Sequence, residues 1–533
     1  MTLSINKALF TIFILIFISC EKIIQSPFKN SVISSAHPLA SRTGIEIYKK
    51  GGNAFDASVA AAFTLSVVEP SMSGLGGRIQ AIFKTSEGEI AGVDGSTEVP
   101  GNYIDKNERF KYGYPTIGIP GVVAGLLSLH DKKGNLPLSI IMAPAIKYAK
   151  EGFRLLPGEA TRQQSVKDEL LEFEGTRHHF IINDSLSYKA GDLFVQNDLA
   201  KVLEAIAKKG RTGFYEGEIA KKIVNDLQSN GSVLSLEDLK NYRALESKIL
   251  TGKYGDKNIF SLFLPSFGAI TIQILQILDH LKLPKNENEW ALQHGRVTEK
   301  AYQFRDLQTD SIKLKEIISY KKAEQLANEI FNKKDEILPV AQEMPISWTS
   351  IDGHTTHLTT ADKWGNVVAL TQTIGPTMGS KVATKGLGFL YAVTLGGYLG
   401  KYKPGDRAKS HISPTFIEKN GEILLALGAA GGSRIIPAVA QVTDRYFRQN
   451  HSLQTALKLP RVYPYDDSLW VENHIGVEKL NASFVDKNLS IKYIDEIARF
   501  GRVHAVALKG QKWVGCADPD WEGTTEYFPV NED

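Results

Sequence analysis

The chain has 533 residues, enough to bury a large core between two or more packed layers of secondary structure. Lys and Arg number 62 against 59 Asp and Glu, a net charge of +3, and that near-balance argues against a nucleic-acid partner. Hydrophobic content of 43% and charged content of 23% are ordinary for a soluble globular protein.

The N-terminus stands apart from this average. Lys7 precedes a mostly apolar run over residues 8–18. That is short of the ~20 residues a membrane-spanning helix needs, and it has the length of a secretory signal. It ends at Ser19-Cys20, a small residue before a Cys, as in bacterial lipoprotein signals. The expectation is a signal peptide over residues 1–19, cut before Cys20, with lipid on the Cys20 thiol. The protein is then exported to the cell envelope or periplasm and anchored to the membrane. Cys516 is the only other cysteine, so it has no disulfide partner and reads as a small core residue. Neither cysteine suggests a zinc or redox site, and no metal or cofactor is expected.

Taken in order, residues 21–33 read as a tether. A helix follows over 39–50, stopped by Gly51-Gly52, and a second, Ala-rich one starts near Asn53. Gly74, Gly76 and Gly77 lack the spacing of a dinucleotide loop and read as a tight turn needing unusual φ, ahead of a strand over 79–83. Residues 154–210 are charged and mostly helical, with His178-His179 read as surface. Further on, Ser235-Leu236-Glu237-Asp238 is a helix-start signal. Residues 283–345 are highly charged and helical, a solvated outer layer. A surface connector over 339–350 then leads into a Thr-rich stretch.

In that stretch, His354-Thr355-Thr356-His357-Leu358-Thr359-Thr360 and Val367-Val368-Ala369-Leu370-Thr371-Gln372-Thr373 favour extended chain, because Thr and Val are stiff at χ1. Asp362-Lys363-Trp364-Gly365-Asn366 between them is a turn signal. A hairpin centred on Trp364 puts Thr373 opposite Thr355, with Cβ atoms roughly 4.5–5.5 Å apart. A Thr hydroxyl is a weak nucleophile without an adjacent base, but a chain-terminal Thr carries one in its own α-amine. Thr355 acquires that amine only if the His354–Thr355 bond is cut. The plainer reading is a Thr-rich strand with cross-strand hydroxyl contacts. The pair His354 and His357 lies on strand-like sequence without the Glu of metalloprotease motifs, so no metal is read there. Further on, the strand-like run 423–427, then Gly428-Ala429-Ala430-Gly431-Gly432-Ser433, leads into a helix near Arg434 or Ile435. Unpaired N–H groups at such a helix start favour negative charge and could hold an oxyanion.

Thr355-Thr356-His357, Asp362-x-x-Gly365-Asn366 and Thr371-x-Thr373 together resemble the processing site of γ-glutamyltranspeptidases. The resemblance extends to His37-Pro38-Leu39-Ala40-Ser41 through Asp56-Ala57, to Gly118-Ile119-Pro120-Gly121, to Ser413-Pro414-Thr415 and to Gly431-Gly432-Ser433-Arg434. Residues 231–243 resemble a family segment with a strand before a helix. It implies an α+β chain folded as a four-layer αββα sandwich, the N-terminal-nucleophile hydrolase fold. It implies a precursor that cuts itself into a large subunit, residues 20–354, and a small one, residues 355–533. The implied roles are Thr355 as nucleophile, Thr373 as the Thr that hydrogen-bonds it, Gly431 and Gly432 as the oxyanion site, and Ser410 as the first of two substrate-binding serines. His411 stands where the second serine belongs. An acyl-enzyme formed on Thr355 is then resolved by water or an amine, with glutathione or another γ-glutamyl or peptide amide as donor.

Two departures bear on the substrate. Ser96 falls where the family's Arg clamps the α-carboxylate, and Leu395-Gly396-Gly397-Tyr398 falls where an Asp clamps the α-amine. A hydroxyl does not replace a bidentate Arg–carboxylate contact. The expectation is an intact acyl-transfer apparatus beside an altered glutamate pocket. An acylase on a different amide, or a non-catalytic lipid-anchored binding protein, are the alternative readings.

Overall fold

The computed structural model describes residues 26–332, 355–396, 401–465, 468–473, 490–495, 500–520 and 522–529. The signal segment, Cys20, the 339–350 connector, His354, Gly397 and Tyr398 lie outside the described residues.

Two antiparallel sheets form the centre. Their strands are β1 (Asn30–Ser35), β2 (Arg78–Lys84), β3 (Ile90–Gly95), β4 (Leu245–Glu246), β5 (Ile249–Tyr254), β6 (Lys257–Leu262), β7 (Thr356–Ala361), β8 (Val367–Thr373), β9 (Thr415–Lys419), β10 (Glu422–Ala430), β11 (Arg502–Lys509), β12 (Lys512–Ala517) and β13 (Thr524–Pro529). The first sheet has the order β13-β1-β7-β8-β2-β3-β4 and the second β12-β11-β10-β9-β6-β5. Between them lies a dry layer that includes Ile82, Ala361, Val367, Ala369, Phe416, Ile423, Ala426 and Val506.

Helices cover the outer faces. On the first sheet lie α1 (Pro38–Lys49), α2 (Ala54–Val68), α3 (Val122–Lys133) and α4 (Leu138–Glu151). On the second lie α5 (Gly268–His280), α6 (Glu287–Tyr302) and α7 (Ile435–Phe447). The molecule is therefore the expected α+β, four-layer αββα sandwich. Helix α2 shows why the layers hold. Asn53 and Asp56 form a reciprocal capping box at its start, and every residue from Ala54 to Val68 is buried. A helix apolar on all sides belongs between layers. Its small side chains let it lie close on the first sheet, where Ser58 Oγ meets Thr360 Oγ1 at 2.7 Å and Gln372 Nε2 donates to the Ala62 carbonyl at 2.9 Å.

Several expectations need correction. Residues 30–33 are not tether: β1 sits inside the first sheet between β7 and β13, fully buried, and its Ser and Asn content disguised it. Gly74, Gly76 and Gly77 do not need positive φ. A Cβ on Gly76 would come within 2.3 Å of the Leu390 carbonyl, and one on Gly77 within 2.5 Å of the Thr373 carbonyl, so close approach excludes a side chain there. No strand precedes the helix Leu236–Asn241, although Ser235 and Asp238 do cap its start. The charged 283–345 segment is not only a solvated layer: α6 buries Trp290 and His294, both hydrogen-bonded to Asp444 of α7. His178 is exposed as expected, but His179 is half-buried, reaches the Thr384 carbonyl at 3.3 Å and is pushed down to about 4 by burial. Cys516 is half-buried against the core of the second helical layer, and burial raises its thiol to about 11.

Candidate active site

The turn between β7 and β8 fixes everything downstream of it. Asp362 Oδ1 accepts from the N–H groups of Trp364 (2.9 Å) and Asn366 (3.0 Å), and Oδ2 accepts from Asn366 Nδ2 (2.8 Å) and from the Ala54 N–H at the start of α2 (2.9 Å). The hairpin is thus pinned in register and to the outer layer by one carboxylate. Its pairs run from Ala361↔Val367 to Thr356↔Gln372. One step further the same register sets Thr355 opposite Thr373, as the sequence predicts. Thr373 in turn pairs with Arg78 of β2. The pairing Ile79↔Gly95 then sets Ser96 across from Arg78. A single row at the sheet's end therefore reads Thr355, Thr373, Arg78, Ser96, with adjacent strands about 4.8 Å apart.

Directly opposed residues share a face of a sheet. The face carrying this row is the one that carries His357 and Thr371, two residues inward. It looks at the second sheet, since a Cβ on Gly428 of β10 would lie 2.3 Å from the His357 ring. Both ring nitrogens of His357 are occupied, Nδ1 with Thr371 Oγ1 at 2.7 Å and Nε2 with Thr359 Oγ1 at 3.0 Å. Burial holds its pKa far below the usual value, so the ring is a neutral wedge between the sheets.

From Gly428 the chain of β10 continues toward the same end as Thr355, because the Ile423 and Ala426 end of β10 packs with Ala361 and Val367. There it enters the Gly loop. Gly431 has φ +138° and Gly432 φ +60°, and Arg434 N–H donates to the Gly431 carbonyl at 3.2 Å before α7 begins. Two tyrosines that sequence reasoning missed hold this loop: Tyr302 of α6 donates to the Ser433 carbonyl, and Tyr463 donates to Ser433 Oγ at 3.0 Å. Nothing in their local sequence distinguishes them from core aromatics. The N–H groups at the entry to a helix have no intrahelical acceptor, and this entry lies at the end of the sandwich that carries Thr355.

Thr355 is 3% exposed and has φ +146°. A positive φ in a β-branched residue is a genuine outlier, typically costing about 1–3 kcal/mol. That dihedral is defined through the bond to residue 354, so cutting the bond removes the constraint. Thr373 Oγ1 accepts from Gly375 N–H at 3.0 Å, which leaves its own proton to be donated. On the opposite face of the hairpin, Thr356 Oγ1 donates to Glu69 Oε2 at 2.6 Å. Glu69 belongs to a buried ion network with Arg162 (3.7 Å), which also meets Glu159 at 3.0 Å. Burial raises the Glu69 pKa despite Arg162 and the Thr356 hydroxyl. The only signal for Glu69 in the sequence is a charge placed directly after an apolar helix.

The remaining predicted residues divide. His411 is buried, stacked on Phe267 with centroids 5.0 Å apart, and its pKa is driven well down by burial and then by Arg305 and Arg434. It therefore lies beside the Gly loop. Ser410 is half-buried, and its N–H donates to the Pro265 carbonyl at 2.8 Å. Ser96 is 1% exposed; its hydroxyl accepts from Gln80 Nε2 at 2.8 Å and its carbonyl accepts from Tyr242 OH at 2.5 Å, which ties it into the scaffold. Away from the row, His178, His179 and Asp198 place ligand atoms within 4.8 Å of one another. His178 lies on the surface there, and the only ion-pair distance in the group is 3.9 Å, from His178 to Asp198.

Comparison with known proteins gives this geometry its context. The sequence profile of the gamma-glutamyltranspeptidase family matches residues 40–528. The glutathione hydrolase proenzyme of Bacillus subtilis (strain 168) is 30% identical over 478 residues, 82% of this chain and 81% of the relative. The capsule biosynthesis protein CapD proenzyme of Bacillus anthracis is 28% identical over 89% of this chain and 86% of its own length. Among solved structures, the cephalosporin acylase from Bacillus halodurans superposes with a TM-score of 0.83 at 24% identity, covering 94% of this chain and 96% of that one, a likeness of fold. The γ-glutamyltranspeptidase of Helicobacter pylori matches with a TM-score of 0.54 at 31% identity, over 58% of this chain and 94% of that one. With the profile spanning most of the chain and the nucleophile row in place, the protein belongs to the γ-glutamyltranspeptidase family of hydrolases and acyltransferases.

Proposed function

We propose that the chain cuts itself between His354 and Thr355 and that the freed Thr355 attacks the amide of a γ-glutamyl or related acyl donor, glutathione among them. The observation that carries this reading is the strained Thr355 backbone directly opposite Thr373 at the open end of a two-sheet sandwich. In self-cleavage the Thr355 hydroxyl oxygen bonds to the carbonyl carbon of residue 354 and the Thr355 nitrogen leaves, giving an ester. Water then hydrolyses the ester, leaving a carboxylate on residue 354 and a free α-amine on Thr355. An α-amine has a pKa of about 7.7–8.0, so near neutral pH an appreciable fraction can accept a proton. In turnover that amine takes the proton of its own hydroxyl as the oxygen bonds to the donor carbonyl. The proton passes to the departing amine, and water or an acceptor amine releases the acyl group from Thr355. Gly431 and Gly432 supply the oxyanion donors, Thr373 orients the hydroxyl, and Ser410 and His411 flank the donor.

That the similar glutathione hydrolases and the CapD protein are proenzymes supports a two-subunit mature form. A denaturing gel of purified protein should show two bands, 20–354 and 355–533, the smaller starting Thr-Thr-His by N-terminal sequencing. A single uncut band and no turnover of γ-glutamyl-p-nitroanilide would favour a non-catalytic binding protein instead.

We also propose export and lipid anchoring through Cys20. The support is in the sequence, where Lys7, the apolar run over residues 8–18 and Ser19-Cys20 follow one another; among the described residues no helix is long and apolar enough to cross a membrane. Cys20→Ser should move the mature protein from the membrane fraction to the soluble fraction; if it stays in the membrane, the lipid is not what holds it.

A further inference from the structure

We infer that Arg78 is a specificity-determining residue that pairs with a carboxylate on the acyl donor. The inference rests on the proposed function only for the position of the reacting carbonyl. Arg78 is 3% exposed, yet its Nε and Nη1 are buried without a hydrogen-bond partner. Asp94, next along β3, is already engaged: by Arg407 at 3.2 Å, by Gln80 Nε2 at 2.6 Å and by the Ser96 N–H at 2.8 Å. Ser96, across from Arg78, has its hydroxyl bound to Gln80. A buried cation without an anion is among the more destabilising features a fold can carry. It persists most readily where something else supplies the counter-charge.

The row geometry says what that is. Arg78 stands next to Thr373 and one strand beyond it from Thr355, about 10 Å away between backbones, with its side chain on the same face. A guanidinium on a three-carbon stem covers most of that gap. It would therefore meet a carboxylate carried a few bonds from the carbonyl that Thr355 attacks. Its planar fork fits a carboxylate with two parallel hydrogen bonds. The donor class is thus an amide of a short dicarboxylic acid, with or without an α-amino group.

Two measurements test this on the purified full-length protein. The first is calorimetric binding of glutarate, with its neutral diamide, glutaramide, as the uncharged control. Wild type should bind glutarate about 100-fold more tightly than glutaramide, given charge-assisted hydrogen bonds. Arg78→Met should reduce the ratio to near one, and Arg78→Lys should restore part of it. The second is thermal melting without ligand: Arg78→Met should melt higher than wild type, because an uncompensated buried charge is gone. Equal glutarate binding in wild type and Arg78→Met, or a lower Tm for Arg78→Met, overturns the assignment. The reaction is tested separately. An uncut, inactive protein that still shows Arg78-dependent glutarate binding removes the proposed chemistry and keeps the anion site. A cut, active protein whose glutarate binding ignores Arg78 does the reverse.

Discussion

Thr355→Ala should give a single band of full mature length and lose acyl-transfer activity by a factor on the order of 10⁶, the loss seen when the nucleophile is deleted from a serine protease. The size of the effect follows from the geometry. One hydroxyl serves twice, first against the bond to residue 354 and then against the donor amide. The base that activates it does not exist until the first reaction has run. Removing the hydroxyl therefore removes the nucleophile and the base together, and the titratable groups described on the hairpin and beside it do not replace either. His357 is two residues away, but its ring nitrogens are bound to Thr371 and Thr359 and burial keeps it neutral. Glu69 lies on the other face of the hairpin, bound to Thr356. Thr355→Ser is the informative partner. It keeps the oxygen and loses the β-methyl, so a positive φ costs it less, and cleavage should proceed but more slowly. Gel densitometry over time after translation and steady-state turnover of γ-glutamyl-p-nitroanilide read both outcomes. Prompt cutting of Thr355→Ala would remove Thr355 from the chemistry.

What the sequence discloses of this site is what local chemistry dictates. The hairpin register is legible because Thr and Val arms flank a turn whose Asp362 organises five residues, and a period-two ladder propagates that register to Thr355 and Thr373 without further information. Helix starts at Asn53 and Ser235 are legible for the same local reason: each is a short polar cap with an acid three residues on. Long-range assembly is not. Strand β1 has the composition of a linker, and only its burial between β7 and β13 makes it a strand. The close approach that demands Gly at 76 and 77 involves Leu390 and Thr373, hundreds of residues away in the chain. Arg78 is the sharpest case. By itself it is a basic residue opening a strand after a Gly cluster. Its meaning comes from its neighbours in the row, Thr373 on one side and Ser96 on the other, which two separate strand pairings provide. The loss of the guanidinium at position 96 was visible in the sequence. The presence of another one strand over was not.

The Gly loop separates two kinds of glycine, and substitution should tell them apart. Gly431 has φ +138°, and a Cβ there would sit 2.9 Å from Gly501 Cα and 3.3 Å from the Phe500 carbonyl. Both obstacles are backbone, so Gly431→Ala has to move the loop. Gly432 has φ +60° and open space around its Cβ position, so Gly432→Ala pays only the left-handed backbone penalty, about 1–2 kcal/mol. The loop cannot absorb a shift at Gly431 easily, since Tyr302 and Tyr463 both hold Ser433. Oxyanion donors act through position, and a displacement of about 1 Å can cost on the order of 10²-fold in rate. Gly431→Ala should therefore lower kcat by about 10²–10³-fold with little change in KM, because the donors engage the charge that develops in the transition state and not the ground-state carbonyl. Gly432→Ala should lower kcat by less than about tenfold, because its backbone strain is carried in the ground state and the transition state alike. The same loss in the two variants would mean the loop is a helix entry and nothing more. Self-cleavage offers a second readout, since it passes through its own tetrahedral oxyanion at the carbonyl of residue 354. If these N–H groups serve that step as well, Gly431→Ala accumulates more precursor than Gly432→Ala.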